Sequence, residues 1–272
     1  MTSGPFRGVA FDLDGTLLRS DHSISQEMRS LCATLAGQGL LVTLISSRPP
    51  RSVEQIVRDL GLESPWAALN GAILCASGAV IDRSPLPAEA VDHILARHGR
   101  DARVSVSLYA GFDWIVRAMD RRVGIEAEIV GFSPTVEAGF AGRPVADKIL
   151  LITDAGSGDG ARIAEELAAL GDGVAVARSK ENYIEITRGD VDKGRALGFI
   201  AGSRGLSARD LVAAGDGEND APMLARCGLP IAMRHSPPSL KAVAELIVGS
   251  NDDDSLPRAV GRVFGAMRPQ RR

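Results

Sequence analysis

The chain is poor in the residues that staple, chelate or stack. It has three cysteines, Cys32, Cys75 and Cys227, among 272 residues. They are scattered, odd in number and form no CxxC or Cys/His ligand spacing, so a disulfide framework and a zinc site are both excluded. A reducing, cytoplasmic setting with plain packing roles is expected. Four histidines, His22, His93, His98 and His235, make no metal pattern. His93 and His98 stand five apart and share no helix face well. Aromatic residues are only 4% of the chain. No basic surplus exists either. The formal net charge is -3, which argues against nucleic acid or an anionic membrane as partner. The longest strongly apolar stretch, Leu40 to Ile45, is far too short to cross a bilayer. The first ten residues hold no charged stretch followed by an apolar run, so no secretory signal is expected. The basic end, Arg268-Pro269-Gln270-Arg271-Arg272, reads as a solvated tail.

What is present is an ordinary globular composition, 45% hydrophobic and 24% charged, long enough for a substantial core. Arg7 to Phe11 and Leu40 to Ile45 read as short buried strands. Ser25 to Gln38 and Ser52 to Leu60 read as helices, the first capped by Ser25 with Met28, Leu31, Cys32 and Leu35 at helical spacing. Strand, helix, strand, helix is the pattern of a parallel α/β sheet. From about Ser84 to Thr187 the rhythm changes. Arg103 to Tyr109 and Trp114 to Val116 form an expected hairpin, and Lys148 to Thr153 and Val174 to Ala177 flank a helix from Ala161 to Leu170. The parallel rhythm returns with a helix from Lys193, a strand Asp210 to Ala214, a helix Ala221 to Arg226 and a strand Pro230 to Met233. The expected organisation is a catalytic core from residues 1–83 and 188–272, with an α+β unit, 84–187, inserted between.

Four polar clusters fall at strand ends or helix starts: Asp12 and Asp14 in "FDLDGTLL", Ser46-Ser47-Arg48, Lys193, and Asp216-Gly217-Glu218-Asn219-Asp220. Ligands of parallel sheets bind beyond the carboxyl ends of the strands. Asp12, Asp14, Asp216 and Asp220 offer hard oxygen ligands without sulfur or imidazole, which selects Mg²⁺. A lysine, hydroxyls and free N–H groups can complete a phosphate site. Two acids two residues apart can divide the work of nucleophile and proton shuttle.

"DLDGTLL", "TLISSRP", "NGA", "VDKGRAL" and "GDGENDAPML" resemble the ordered motifs of the haloacid dehalogenase superfamily. The insertion between the second and third motifs resembles that of Cof-type phosphatases with a type IIB cap. The resemblance runs from Val9 to about Ala259. It implies a Rossmann-like parallel-sheet core with an inserted α+β cap, and Mg²⁺-dependent hydrolysis of a small phosphate ester such as a sugar phosphate. It implies that Asp12 is the nucleophile and that Asp14 protonates the leaving oxygen, then activates water. Ser46 and the Ser47 N–H would contact phosphate, Lys193 would neutralise charge on nucleophile and phosphate, and Asn219 and the Leu13 N–H would face it. Asp216, Asp12 and the Asp14 carbonyl would hold the metal, with Asp220 supporting them. Arg48 and Asn70 are candidate pocket residues. The chain has Ser47 where many relatives have Gly, and Arg234-His235-Ser236 where they have Gly-Asn-Ala.

Competing readings are simpler. Asp12 and Asp14 alone could be a turn and a cap, Asn70-Gly71 a turn, and Asp252-Asp253-Asp254 a solvated turn before the last helix rather than a calcium loop. Trp66, Tyr109, Phe112 and Trp114 read as packing. Gly156-Ser157-Gly158-Asp159-Gly160-Ala161 fits the dinucleotide fingerprint G-x-G-x-x-A, which makes a nucleotide-dependent oxidoreductase a rival. Its place inside the inserted unit counts against it. A phosphomutase shares the aspartyl-phosphate step. A catalytically dead phosphate-binding module would lack Asp12, Asp14 or Lys193, and all three are present. The physiological substrate and the oligomeric state are open at this point.

Overall fold

The computed structural model describes residues 6–140, 145–171 and 173–265; the basic end, Arg268 to Arg272, lies outside them. β1 (Gly8–Phe11) is buried along its whole length. The Ser25 hydroxyl accepts the Met28 N–H at 3.1 Å and so caps α1 (Gln26–Gly37), whose buried face is Met28, Leu31, Cys32 and Leu35. β2 (Leu41–Leu44) follows. α2 (Pro50–Asp59) begins ahead of the expected Ser52. A first-turn proline suits a helix start, since its missing N–H would have had no partner there.

β3 (Trp66–Ala68), β4 (Ile73–Ala76) and β5 (Ala79–Arg83) form a small antiparallel sheet that sequence reasoning missed. Its second hairpin turns on Ser77 and Gly78, both at positive φ, as a two-residue turn between twisted strands requires.

The next stretch holds α3 (Ala88–His98), β6 (Ser105–Ala110), β7 (Asp113–Val116), α4 (Arg121–Val130), β8 (Thr135–Val136), β9 (Lys148–Ile152), α5 (Asp159–Ala168), β10 (Val174–Lys180) and β11 (Tyr183–Arg188). Its six-stranded sheet has the order β10-β11-β9-β6-β7-β8. The expected hairpin exists, with its turn shortened to Gly111-Phe112 because Ala110 pairs with Asp113. The G-x-G-x-x-A loop does join a strand, β9, to a helix, α5. However, β9 pairs antiparallel with both β6 and β11, so the parallel unit of a dinucleotide site is absent there.

The chain then gives α6 (Lys193–Ser203), β12 (Leu211–Gly215), α7 (Ala221–Arg226), β13 (Leu229–Met233), α8 (Pro238–Val243), β14 (Leu246–Val248) and α9 (Ser255–Val263). The five-stranded sheet β14-β13-β12-β1-β2 is parallel throughout. Val9, Phe11, Val42 and Val212 pack one of its faces with α1 and α2. Ala10, Leu41 and Ala213 pack the other against Leu197, Ile200 and Leu224. The fold is therefore α/β, a parallel Rossmann-like core with an α+β insertion. The chain runs from β1 to β2 on one side and reaches β12 on the other, so the strand order reverses at β1. A crevice opens at such a point, and Asp12 and Asp216 directly follow the two strands that flank it.

One face of the six-stranded sheet packs internally through Leu108, Ile149, Leu151 and Ile184. The other, with Tyr109, Trp114 and Leu150, joins the same apolar cluster as Phe11 and Leu44. Tyr109 and Trp114 stack at 5.7 Å between ring centroids. Trp66 is buried and Phe112 half-buried against this cluster, so all four aromatic side chains pack. The three cysteines are free and buried. Burial pushes the thiols up to about 12 for Cys32 and Cys75 and about 11 for Cys227, which makes them poor nucleophiles.

Candidate active site

Asp12 continues the ladder of β1, its N–H donating to the Ala214 carbonyl at 3.0 Å. The chain then folds into one tight turn, Leu13 to Leu17, with Gly15 at φ +74. Only a glycine suits this place, because an added Cβ would lie 2.4 Å from the Asp216 carboxylate. Lys193 is the first residue of α6, which Asp192 caps by accepting the Arg195 N–H at 2.6 Å. Its Nζ reaches Asp12 at 2.5 Å and Asp220 at 2.6 Å, and the side chain is 1% exposed. The second oxygen of Asp220 accepts the N–H groups of Asp216 and Gly217, both at 2.9 Å. Asp220 thus folds the loop that carries Asp216. Asp216 accepts the Thr16 hydroxyl at 3.1 Å, and His235 Nε2 stands 3.3 Å from its other oxygen.

Asp12, Asp216 and Asp220 each bring an oxygen within 4.8 Å of the others. Burial pushes the Asp12 carboxyl well above its usual value, and the Asp220 charge adds to this, against the pull of Lys193. Burial and Asp220 raise Asp216 too. One lysine does not balance three clustered acids. The donors are all hard oxygens, so the residues present fit Mg²⁺. Asp14 contributes no carboxylate to this group.

Asp14 faces the other way. Arg48 grips both its oxygens, Nε at 2.8 Å and Nη2 at 2.6 Å, and His22 Nδ1 lies 3.7 Å away. Burial would raise the Asp14 carboxyl, but the Arg48 hydrogen bonds and charge outweigh it and hold it below its usual value. Arg48 also donates to the Ser52 hydroxyl at 3.2 Å. Ser46 is fully buried and its hydroxyl accepts the Arg48 N–H at 3.1 Å, so the loop after β2 is tied to itself.

These groups meet at a cavity of about 650 Å³. Asp12, Asp14, Ser47, Arg48, Asp216 and Asn219 line its floor. Glu126, Lys148, Arg178, Lys180, Tyr183 and Glu185 line the side given by the six-stranded sheet and α4. Leu13, Ser46 and Lys193 lie behind the lining. Asn70, at φ +59, has both ends of its amide engaged. Its Nδ2 donates to Glu185 at 2.7 Å and its Oδ1 accepts from Asn219 at 3.0 Å. Sequence reasoning missed Thr16, His22, His235, Lys148 and Glu185. The signal for the last two was available: a charge at the head of "KILLI" and another inside "YIEIT" interrupt otherwise apolar strands. Asp252, Asp253 and Asp254 hold the turn before α9 through their own loop and through Ser20 and Arg19.

A family model for haloacid dehalogenase-like hydrolases matches residues 9–260. The chain belongs to this family. An HMP-PP phosphatase of Escherichia fergusonii is 28% identical over 245 residues, covering 87% of each chain. A solved haloacid dehalogenase-like hydrolase from Bacteroides thetaiotaomicron superposes with a TM-score of 0.85 at 26% identity, covering 95% of this chain and 100% of that one. A HAD subclass IIB sugar phosphatase shares the fold, with a TM-score of 0.81 at 21% identity over 96% of this chain and 100% of that one. Family membership and phosphatase relatives make this haloacid dehalogenase-like chain a phosphatase. Among the described residues, no helix is long and apolar enough to cross a membrane.

Proposed function

We propose that the protein is a Mg²⁺-dependent phosphatase that hydrolyses small phosphorylated metabolites through an aspartyl phosphate on Asp12. One observation carries this reading. Asp12 ends a buried strand at the reversal point of the parallel sheet, 2.5 Å from the Lys193 ammonium, while a second acid, Asp14, is held apart from the acid cluster by Arg48. A nucleophile and a proton carrier are thus separated in environment although they are two residues apart.

Asp12 attacks phosphorus, and the bond from phosphorus to the ester oxygen breaks. Asp14 gives its proton to that oxygen. Water then attacks the acyl phosphate, Asp14 takes the water proton, and phosphate leaves with Asp12 restored. The Arg48 grip favours ionised Asp14, the form that accepts a proton from water. The proton taken from water in one turnover is the one given to the ester oxygen in the next, and the grip loosens while Asp14 carries it. Lys193 neutralises charge on Asp12, and Ser46, Ser47, Asn219 and the N–H groups after Asp12 orient the phosphoryl oxygens. Asp12 and Asp216 would hold Mg²⁺, supported by Asp220, and when bound it would supply charge stabilisation at the phosphoryl group. Residues 84–187 act as the cap over the core formed by 1–83 and 188–272, in a cytoplasmic setting. A cavity of about 650 Å³ walled by that cap suits a metabolite rather than a phosphoprotein. The HMP-PP phosphatase relative and the subclass IIB sugar phosphatase fold support the same size class. A panel of phosphorylated metabolites, assayed for phosphate release with Mg²⁺ and again with chelator, tests the reading. Full activity in excess chelator would overturn it.

A further inference from the structure

Lys148 and Glu185 sit diagonally on the adjacent strands β9 and β11, on the face turned to the cavity. They form an ion pair at 2.8 Å, with side chains 4% and 5% exposed. Burying two charges is costly, and an apolar pair packs as well. Packing therefore does not account for the pair; its other contacts do. Lys148 Nζ donates to the Ser47 carbonyl at 3.0 Å. Glu185 accepts from Asn70 Nδ2 at 2.7 Å, and Asn70 Oδ1 accepts from Asn219 at 3.0 Å. The Asn70 N–H donates to the Ser46 carbonyl at 2.9 Å and the Leu69 N–H to the Arg48 carbonyl at 3.0 Å. One buried pair on the inserted sheet thus touches, directly or through one amide, the loop with Ser46 to Arg48 and the loop with Asn219.

We infer that Glu185 and Lys148 are positioning residues of the hydrolysis, setting the phosphate-facing loops from the inserted sheet. This rests on the phosphatase mechanism proposed above. With the chain Asn219–Asn70–Glu185–Lys148–Ser47 closed, Asn219 has one orientation: one N–H of its amide is committed to Asn70, which fixes the direction of the second N–H, the one left to meet a phosphoryl oxygen. Lys148 fixes the Ser47 peptide from the carbonyl side.

The experiment is a double-mutant cycle on the full chain, read as kcat and KM for an aryl phosphate with Mg²⁺. Glu185→Gln is made in the native background and in Asn219→Ala. Glu185→Gln should lower kcat by about 10–100-fold with little change in KM, the size expected when a support shifts a reacting group. If Glu185 acts through Asn70 on Asn219, that loss should shrink about tenfold in the Asn219→Ala background. Losses that simply multiply would overturn the inference. The apolar pair Lys148→Met/Glu185→Leu, of similar volume, guards against a variant that fails to fold. Its thermal midpoint should equal or exceed the native one while kcat stays low, and native kcat in that stable protein would overturn the inference as well. Absence of hydrolysis by the unsubstituted protein would instead overturn the mechanism beneath it, and is seen before any variant is made.

Discussion

Arg48 holds Asp14 with two parallel contacts, Nε at 2.8 Å and Nη2 at 2.6 Å, across 34 positions of sequence. The fork of a guanidinium matches the two oxygens of a carboxylate, so the contact sets the orientation of Asp14 as well as its charge. The Arg48 side chain is itself buried and tied to Ser52. The proposed proton carrier, two residues from the proposed nucleophile, is therefore aimed by a residue from the next strand's loop.

That geometry gives the first expected outcome. Arg48→Met should lower kcat by about 10–100-fold through misplacement of Asp14. Arg48→Lys should not restore it, because an ammonium is a point charge and cannot hold both oxygens. Steady-state kinetics of the two variants check this; native turnover in either would mean that Asp14 is placed without the fork.

The roles of Asp12 and Asp14 separate by leaving group. Asp12→Asn should abolish turnover of every ester. Asp14→Asn should slow an alkyl phosphate by about 10²–10⁴-fold, the range of acid–base help. An aryl phosphate with an acidic phenol should suffer less, since its oxygen leaves without a proton. Equal losses on both esters would remove Asp14 from the leaving-group step.

The acid cluster predicts how Mg²⁺ changes stability. Asp216 is raised by burial and by Asp220, so without metal Asp216→Asn should unfold at or above the native temperature. Added Mg²⁺ should then stabilise the native protein, by about 2.7 kcal/mol at one hundred times Kd, and leave the variant nearly unchanged. Thermal unfolding with chelator and with Mg²⁺ reads both halves. A native protein indifferent to Mg²⁺ would contradict the assignment.

Glu185 predicts an acid dependence. Burial alone would raise its carboxyl, but the Lys148 charge and hydrogen bond outweigh it, leaving it below the ordinary 4.5. A carboxylate lowered in the native state contributes stability that is complete above its unfolded value. That stability is lost as pH falls through the lower native value. The difference in unfolding temperature between native protein and Glu185→Gln should thus be largest near neutrality and shrink below about pH 4.5. A difference constant from pH 7 to pH 3 would show that the charge of Glu185 contributes nothing to folding.

Much of the parallel core was legible in sequence for a local reason. "GVAF", "LVTL" and "LVAAG" are short, fully buried runs, and a polar residue follows the first and last directly and the second after Ile45. Ser25 announces α1 by capping it. β3 to β5 were not legible. Trp66 to Ala68 is only three residues long, and β5 is largely exposed, so neither shows a clear period. α2 begins at Pro50 rather than Ser52 because proline favours the first turn, which the apolar spacing alone does not reveal.

By itself the sequence determined which residues stand at the ends of the parallel strands, and hence the oxygen-rich acid set with one lysine beside it. Strand burial and the residue that ends a strand are decided within a few positions, so they survive as pattern. Tertiary structure alone decided the partners. That Arg48 grips Asp14, that Asn70 spends its amide on Glu185 and Asn219, and that His235 approaches Asp216 depend on how separate loops converge at the reversal point of the sheet. Lys148 and Glu185 show the reason most plainly. Each is a charge that interrupts an apolar stretch, a local signal that marks the position but names no partner. Only the antiparallel register of β9 and β11, and the closing of that sheet over the cavity, turns the two into a buried pair that reaches the loops around Asp12.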